Sequence, residues 1–272
     1  MNLVLLKSLS LNSDKENEMS WLGLFSPQKR NLKLRILLHG PAGSGKSSFI
    51  NSVDSICQKR ITSPAAVDNF CSGKSFTIVY KAHKIKKDKP NMYHPFVFND
   101  IMGLEATGGV CEDDIKLAMK GHVKDGYKFN PASALDPSDQ FYNQTPDEND
   151  KVHVLVCVVP AHTLSLMKGE IIRKMVNIRE AARDLDIPQI AILTHIDVAC
   201  PLVNGNIQNV YKSKYIKKKM EEFCDQLGIP MNCIFPVKNY HEEQDLDDDI
   251  DMLILRALKQ MINFAKDKVH AD

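Results

Sequence analysis

Apolar residues are arranged in two ways along this chain. From Val154 to Val159 every position is apolar, which is typical of a strand buried on both faces of a parallel sheet. Between residues 163 and 185, apolar side chains recur at every third or fourth position, as they do on the buried face of a helix. Such segments alternate from Leu34 onward, and the alternation predicts strands joined by helical crossovers.

The alternation can be divided into individual elements. Strands are expected at 34–39, 75–83, 95–100, 152–160, 188–195 and 232–237, and helices near 46–59, 112–121, 163–185, 208–227 and 249–266. We predict one three-layer α/β domain over residues 31–268, with a mostly parallel six-stranded sheet, and a lead-in segment over residues 1–30. The polar stretch from Ser8 to Ser20 is expected to be loose. The apolar cluster Trp21–Phe25 is expected to pack on the domain, with a docking site for a partner as the alternative.

Residues 122–150 interrupt the alternation. They contain clusters of Asp, Asn, Pro and Ser, which are signals for turns and loops. A loop of this length inside a compact domain is predicted to be functional or mobile.

Composition excludes several classes of partner. The chain has 272 residues and a net charge of +1, so it has no overall attraction to nucleic acid or to an anionic membrane. Its seven cysteines are scattered without a C-x-x-C pair, which indicates reduced thiols and a cytoplasmic protein. The apolar run Leu3–Leu6 ends at Lys7 and is too short to span a membrane. We expect neither nucleic acid nor membrane as a partner.

The stretch Gly40–Ser47 has the sequence G-P-A-G-S-G-K-S, which fits the phosphate-binding loop G-x-x-x-x-G-K-[ST]. A predicted strand precedes it and a predicted helix follows it, so a chance match to a glycine-rich turn is disfavoured. The glycines let backbone N–H groups surround a phosphate, the lysine reaches the outer phosphates, and the final hydroxyl joins the shell of a Mg²⁺ ion. The fold is therefore predicted to be that of P-loop NTPases. The residues predicted to bind nucleotide here are Gly40, Gly43, Ser44, Gly45, Lys46, Ser47 and Ser48.

A second motif lies at the end of the predicted strand 95–100. Asp100 is followed three residues later by Gly103, as in the motif D-x-x-G. The carboxylate is expected to hold Mg²⁺ through water, so Ser47 and Asp100 are the predicted metal ligands. The N–H of Gly103 is expected to bind the γ-phosphate, and glycine tolerates the loop movement when that phosphate leaves.

A third motif favours guanine over adenine. Thr194, His195 and Asp197 lie at the end of the predicted strand 188–195, where GTPases carry [NT]-K-x-D and the Asp accepts two hydrogen bonds from guanine. Adenine offers no matching pair of donors, so the carboxylate would penalise ATP. His195 stands where Lys is usual and is shorter, which lowers the expected affinity. The alternative is that Asp197 only caps a turn before Pro201.

Two further parts of such a site are less clearly encoded. Val237 and Lys238, at the end of the last predicted strand, are expected to back the base, although the usual Ser-Ala is missing. The first switch, with a hydroxyl ligand for Mg²⁺, is expected between residues 61 and 79. The candidate ligands are Thr62, Ser63, Ser75 and Thr77.

Four segments together resemble the interferon-induced protein 44 family. They are G-P-A-G-S-G-K-S-S-F-I-N-S-V, N-D-I-M-G-L-E, G-H-V-K-D-G-Y-K-F-N at 121–130 and D-I-P-Q-I-A-I-L-T-H-I-D-V-A-C-P-L-V at 186–203. The resemblance runs from about residue 20 to the C-terminus. It implies a cytoplasmic GTP-binding protein with a fold like that of small GTPases and a link to innate antiviral responses. Longer members carry an extra N-terminal domain.

The motifs favour binding of GTP or GDP with Mg²⁺ more than they favour hydrolysis. Leu104 follows Gly103, where Ras-like proteins use a Gln to orient the attacking water. An apolar side chain cannot do this, so slow turnover is expected, raised by self-association or by an unidentified protein effector. Two alternatives stay open: a nucleotide-binding scaffold with little or no hydrolysis, and a P-loop ATPase or kinase, which Asp197 disfavours.

Overall fold

A computed structural model of the chain describes residues 11–27, 29, 31–65, 78–89 and 91–271. Its centre is one six-stranded sheet with the strand order β2-β3-β1-β4-β5-β6. All neighbouring strands are parallel except β2, which runs antiparallel to β3. This confirms the predicted mostly parallel, small-GTPase-like α/β fold. The strands are β1 (Leu34–His39), β2 (Lys81–Lys86), β3 (Tyr93–Asp100), β4 (Val154–Pro160), β5 (Gln189–Thr194) and β6 (Ile234–Pro236).

Helices cover both faces of the sheet. On one face Ile115, Met175 and Phe223 from α3, α4 and α7 belong to one buried apolar cluster, and on the other Phe49 and Leu258 from α2 and α8 belong to a second. Successive side chains of a strand point to opposite faces, and the central strands β1, β4 and β5 each supply buried residues to both clusters. The helices are α1 (Leu11–Leu24), α2 (Lys46–Gln58), α3 (Glu112–Met119), α4 (Gly169–Asp184), α5 (Ile196–Ala199), α6 (Pro201–Gly205), α7 (Lys214–Leu227) and α8 (Asp248–Ala271).

The lead-in segment differs from its prediction. Residues 11–24 form the helix α1, which packs against α8, instead of a loose stretch. Leu22 is buried, and the Nζ atom of Lys259 lies 5.3 Å from the centre of the Trp21 ring. The apolar cluster therefore packs on the domain, as expected. The helix was missed because its polar residues find charged partners on α8, at the other end of the chain.

Several predicted boundaries also shift. Strand β2 begins at Lys81, beyond most of the predicted strand 75–83, whose residues 75–77 lie outside the described part of the chain. The predicted strand 232–237 begins with a 3-10 turn at Met231–Cys233. The predicted helices 163–185 and 208–227 each begin with a 3-10 segment, at Leu164–Leu166 and Ile207–Lys212.

The long insertion at 122–150 forms neither helix nor strand, but it contributes to the core. Tyr127, Phe129 and Leu135 are buried in the cluster shared with α3 and α4. The buried carboxylate of Asp114 on α3 accepts hydrogen bonds from the Leu135 N–H at 2.7 Å and from the Tyr127 hydroxyl at 3.4 Å. The insertion is thus fastened to the domain by apolar packing and by a buried acceptor.

Among the described residues, no helix is long and apolar enough to cross a membrane.

Candidate nucleotide-binding site

The phosphate loop lies between β1 and α2, at the carboxyl end of the central strand. A side chain at Gly40 is excluded, because a Cβ atom there would lie 2.0 Å from the carbonyl oxygen of Val158. Gly43 and Gly45 adopt positive φ angles of 69° and 88°. Gly45 is the residue that precedes the first turn of α2, so the helix N-terminus opens into the loop and favours an anion.

Lys46 folds back over the loop. Its Nζ atom donates to the carbonyl oxygens of Pro41 at 3.0 Å and Gly40 at 3.3 Å, and the residue is only 6% exposed. The ammonium group is therefore held at the mouth of the loop, where it can meet a phosphate with a small change in its rotamer.

Ser47 and Asp100 meet in space, although 53 residues separate them. The Ser47 hydroxyl donates to Asp100 Oδ2 at 2.5 Å. Asp100 reaches this position because it ends β3, in register with Leu38 at the end of β1. A hydroxyl and a carboxylate at one point supply the hard oxygen ligands that Mg²⁺ prefers. These two side chains fit a Mg²⁺ ion that would bridge the protein and a bound phosphate.

Gly103 lies directly against the phosphate loop. A Cβ atom at this position would come within 2.6 Å of the backbone of Ala42. The next residue pairs with the loop as a strand would, since the Leu104 N–H donates to Gly40 O at 2.9 Å and the Ala42 N–H donates to Leu104 O at 3.3 Å. The Leu104 side chain is 1% exposed and lies in the core. It thus points away from the loop and cannot act on a water there.

Thr194 and His195 connect the end of β5 to the phosphate loop. The Thr194 hydroxyl donates to Ser44 O at 2.7 Å, and His195 Nδ1 lies 3.1 Å from the Thr194 oxygen. The His195 ring packs edge-on against His162, with ring centres 5.3 Å apart. Burial, followed by the neighbouring His162, lowers the pKa of His195 to about 4. This side chain is therefore neutral at pH 7, unlike the Lys usual at this position.

A cleft of about 400 Å³ extends from the phosphate loop towards the end of β6. Ser48, in the first turn of α2 directly after the loop, lines it together with His195 and Asp197. Its far side is formed by residues 238–243, which we call the base loop. The structure thus brings Asp197, His195 and Lys238 together beside the phosphate loop, as a bound nucleoside would require.

Val237 does not take part in this cleft. Its side chain is fully buried in the core, and its N–H donates to Leu193 O at 2.8 Å. The prediction that Val237 backs the base is not supported by this placement. The neighbouring Lys238 does line the cleft, and its Nζ atom pairs with Glu243 Oε1 at 2.7 Å. Burial alone would raise the pKa of Glu243, but hydrogen bonds from backbone N–H groups, followed by the Lys238 contact, outweigh it and lower the pKa to about 2.

Asn239 and Tyr240, which belong to none of the predicted site residues, also line the cleft. Asn239 Nδ2 donates to Gly45 O at 3.0 Å, and the Tyr240 N–H donates to Ser52 Oγ at 3.0 Å. These bonds attach the base loop to the phosphate loop and to α2. No sequence motif marks them, because the partners are about 190 residues apart.

The first-switch candidates divide into two groups. The Thr62 hydroxyl donates to Asp54 Oδ2 at 2.8 Å, and Asn51 donates to Ser63 Oγ at 3.3 Å. Both are thus engaged with α2. Ser75 and Thr77 lie outside the described residues.

Sequence comparisons identify the relatives of this chain. No family model matches it, but interferon-induced protein 44 of Homo sapiens is 34% identical over 236 residues, which is 86% of this chain and 53% of the relative. Interferon-induced protein 44-like of Homo sapiens is 32% identical over 237 residues, 86% of this chain and 52% of the relative. The chain belongs to the interferon-induced protein 44 family.

The chain spans about half the length of the interferon-induced protein 44 relatives that it matches. Two family segments found in the sequence have clear positions in the fold. Residues 121–130 supply the buried Tyr127 and Phe129, and residues 186–203 contain β5 and the His195–Asp197 corner.

Solved structures with related architecture are more distant. A probable GTP-binding protein engB has 15% identity and a TM-score of 0.42, covering 86% of this chain and 99% of that one. A variant of Era from Aquifex aeolicus bound to GDP·AlF4⁻ has 12% identity and a TM-score of 0.41, covering 87% of this chain and 57% of that one. At such low TM-scores, the fold assignment rests on the strand order and phosphate loop of the chain itself.

Proposed function

We propose that this member of the interferon-induced protein 44 family binds GDP and GTP together with Mg²⁺. One observation carries the proposal: a single cleft runs from Ser48, in the first turn of α2 directly after the phosphate loop, to Asp197. The phosphates would lie on the backbone of residues 40–48 with Lys46, and the Mg²⁺ ion would bind Ser47 and Asp100. Residues 31–268 form the proposed nucleotide-binding domain, with residues 1–30 as its lead-in segment.

Asp197 is the basis for proposing guanine. A carboxylate accepts the two N–H donors on the guanine edge, whereas adenine leaves it without that pair of hydrogen bonds. Thr194 is hydrogen-bonded to Ser44 of the phosphate loop, and Gly103 lies against Ala42 of the same loop. Lys238 lines the cleft beside Asp197. Because Asp197 would have no such pair of donors from adenine, a P-loop ATPase is the less favoured alternative.

We propose slow intrinsic hydrolysis of GTP. The burial of Leu104 leaves the segment after Gly103 without a side chain of the kind that orients water in Ras-like proteins. A residue from a protein effector or from a second copy of the chain would have to raise the rate, as supplied groups do elsewhere by about 10³–10⁵. A scaffold that binds nucleotide without hydrolysing it is the second candidate, and the same buried leucine favours it.

The biological setting is proposed from the relatives. Their names describe proteins induced by interferon, and we extend to this chain a cytoplasmic role in the innate antiviral response. The effector would be a protein that distinguishes the GTP-bound from the GDP-bound form.

A titration with fluorescent GDP, GTP and ATP tests the proposal. Lys46→Ala is expected to weaken guanine-nucleotide binding about 100-fold or more, because the lysine would pair with phosphate in a desolvated site. Lys59→Ala is the matched control, since Lys59 lies at the other end of α2 and forms an exposed ion pair with Asp88. Equal affinity of the Lys46 variant and the wild type would refute the site, and equal affinity for ATP and GTP would refute the guanine preference.

A further inference from the structure

The base loop has a second attachment, which leads away from the nucleotide. Tyr240 lines the cleft, and its hydroxyl donates to Asp251 Oδ1 on α8 at 2.6 Å. The same hydroxyl accepts from the Asp247 N–H at 2.7 Å. Tyr240 is therefore held at both ends: its backbone N–H binds Ser52 on α2, and its hydroxyl binds Asp247 and Asp251 at the start of α8.

Asp251 is a fully buried carboxylate that needs a compensating charge. It is 0% exposed, and a buried carboxylate without a partner is strongly destabilising. Its Oδ2 atom lies 2.7 Å from Lys15 Nζ. Lys15 is on α1, and its ammonium group also contacts Asp248 Oδ1 at 2.5 Å. The positive charge that stabilises the buried Asp251 carboxylate thus comes from Lys15 on α1.

These contacts form one continuous path from α1 to the nucleotide cleft. Lys15 holds Asp251, Asp251 holds the Tyr240 hydroxyl, and the neighbouring Asn239 binds Gly45 of the phosphate loop. A change at Lys15 would leave Asp251 to recruit water or a proton in place of the ammonium group. Either event would disturb its hydrogen bond to Tyr240 and would loosen the wall of the cleft.

We infer that Lys15 and Asp251 are positioning residues for the nucleotide site, and that docking of α1 slows nucleotide release by holding Tyr240 and the base loop. The inference rests on the proposed guanine-nucleotide binding. It assigns a function to α1, which lies outside all of the nucleotide-binding motifs.

The same two helices supply a matched control. Lys259 on α8 pairs with Glu18 on α1 at 2.8 Å and lies over the Trp21 ring. This ion pair also fastens α1 to α8, but Lys259 lies eight residues beyond Asp251, about two turns further along α8. If α1 acts only as general support, loss of either ion pair will have the same effect on the cleft.

The first experiment compares Lys15→Met with Lys259→Met. We expect Lys15→Met to release fluorescent GDP about three- to tenfold faster than the wild type, the range expected when one partner of a partly buried, charge-assisted contact is lost. Lys259→Met is expected to lower the melting temperature with an unchanged release rate. Equal acceleration in both variants, or none in either, would overturn the inference.

A charge-deletion test distinguishes positioning from simple loss of stability. Asp251→Asn keeps an oxygen acceptor for Tyr240 but removes the charge that Lys15 neutralises. In the Asp251→Asn background, Lys15→Met is therefore expected to change GDP release less than twofold, because the coupling between the two residues is gone. An undiminished effect of Lys15→Met in that background would contradict the proposed path.

Hydrogen exchange without nucleotide separates this inference from the proposed function. Lys15→Met is expected to increase amide exchange in residues 238–243 of the nucleotide-free protein, whereas Lys259→Met leaves it unchanged. If the two variants show this difference in exchange but the wild-type protein binds no guanine nucleotide, the proposed function alone is refuted. Nucleotide binding with unchanged exchange in residues 238–243 would refute the path from α1.

Discussion

The phosphate half of the candidate site, residues 40–48, comes from one continuous stretch, whereas the base half comes from two distant stretches, 194–197 and 238–243. In the phosphate half the backbone creates the site, since a side chain at Gly40 would collide with β4. In the base half the groups that would contact the nucleotide are side chains, and His195 stands where the usual motif has Lys. The phosphate half therefore allows little variation, while the base half can be retuned by substitution. The predictions below test this difference.

The largest effect is expected at Gly40. Gly40→Ala would place a methyl group 2.0 Å from Val158 O, so we expect it to lower the free energy of unfolding by about 3 kcal/mol or more. Gly43→Ala is the control, because no atom lies within 4 Å of a Cβ there and only the left-handed backbone costs about 1–2 kcal/mol. Denaturant unfolding measures both variants. Similar losses would show that steric contact with β4 is unimportant.

In the base half, removal of the Asp197 carboxylate should weaken the affinity for GDP without unfolding the domain. Asp197→Ala is expected to weaken GDP binding about 10- to 150-fold, the range for lost hydrogen bonds to a charged group. ADP binding should change little, because adenine makes no such pair. Asn204→Ala, which alters the same cleft, controls for a change of shape. A parallel loss of ADP binding in Asp197→Ala would indicate a structural role for the carboxylate.

Acid should destabilise the domain through two histidines, His39 at the end of β1 and His195 in the base half. Burial, followed by the Lys46 charge, lowers the pKa of His39 to about 3, and the pKa of His195 is lowered to about 4. The unfolded chain binds protons below about pH 6.5 while these folded rings stay neutral, so stability falls as pH drops, by up to about 1.4 kcal/mol per pH unit for each ring. Unfolding at pH 7, 6 and 5 should show a shallower loss in His195→Asn than in the wild type. An identical slope would exclude a contribution from His195.

The smallest effect is expected from restoring the usual residue of the motif. His195→Lys should tighten GDP binding by about threefold, because the longer alkyl stem covers more of the base. A titration with fluorescent GDP measures the change, and titration with ADP is the control for a general effect of charge. Weaker GDP binding would mean that the imidazole, packed on His162, already fits this site better than lysine.

The sequence predicts the parts of the molecule that depend on local spacing. Strand β1 begins and ends where expected, at Leu34 and His39, and α2 begins at the predicted Lys46. The contact between Ser47 and Asp100 also follows, because parallel strands end at the same edge of the sheet. These features can be predicted because they depend only on the residue pattern within one element and on the common direction of neighbouring parallel strands.

The features that were missed depend on partners far away in sequence. The stretch Ser8–Ser20 shows no apolar face, and the contacts that hold α1 come from α8, through Lys15 and Glu18, and from the packing of Leu22. Val237 was assigned to the cleft by its position after the last strand, but an apolar residue there packs into the core. Asn239 and Tyr240 gain their roles only from contacts with residues 45 and 52.

The pairing of Leu104 with the phosphate loop has a mechanical consequence. Because Gly40 and Ala42 exchange backbone hydrogen bonds with Leu104, the two segments must shift as one unit or break their pairing. The chain just beyond is anchored as well, since Lys174 on α4 donates to Glu105 O at 2.9 Å. A displacement of the loop would therefore be transmitted to α4, some 130 residues further along the chain.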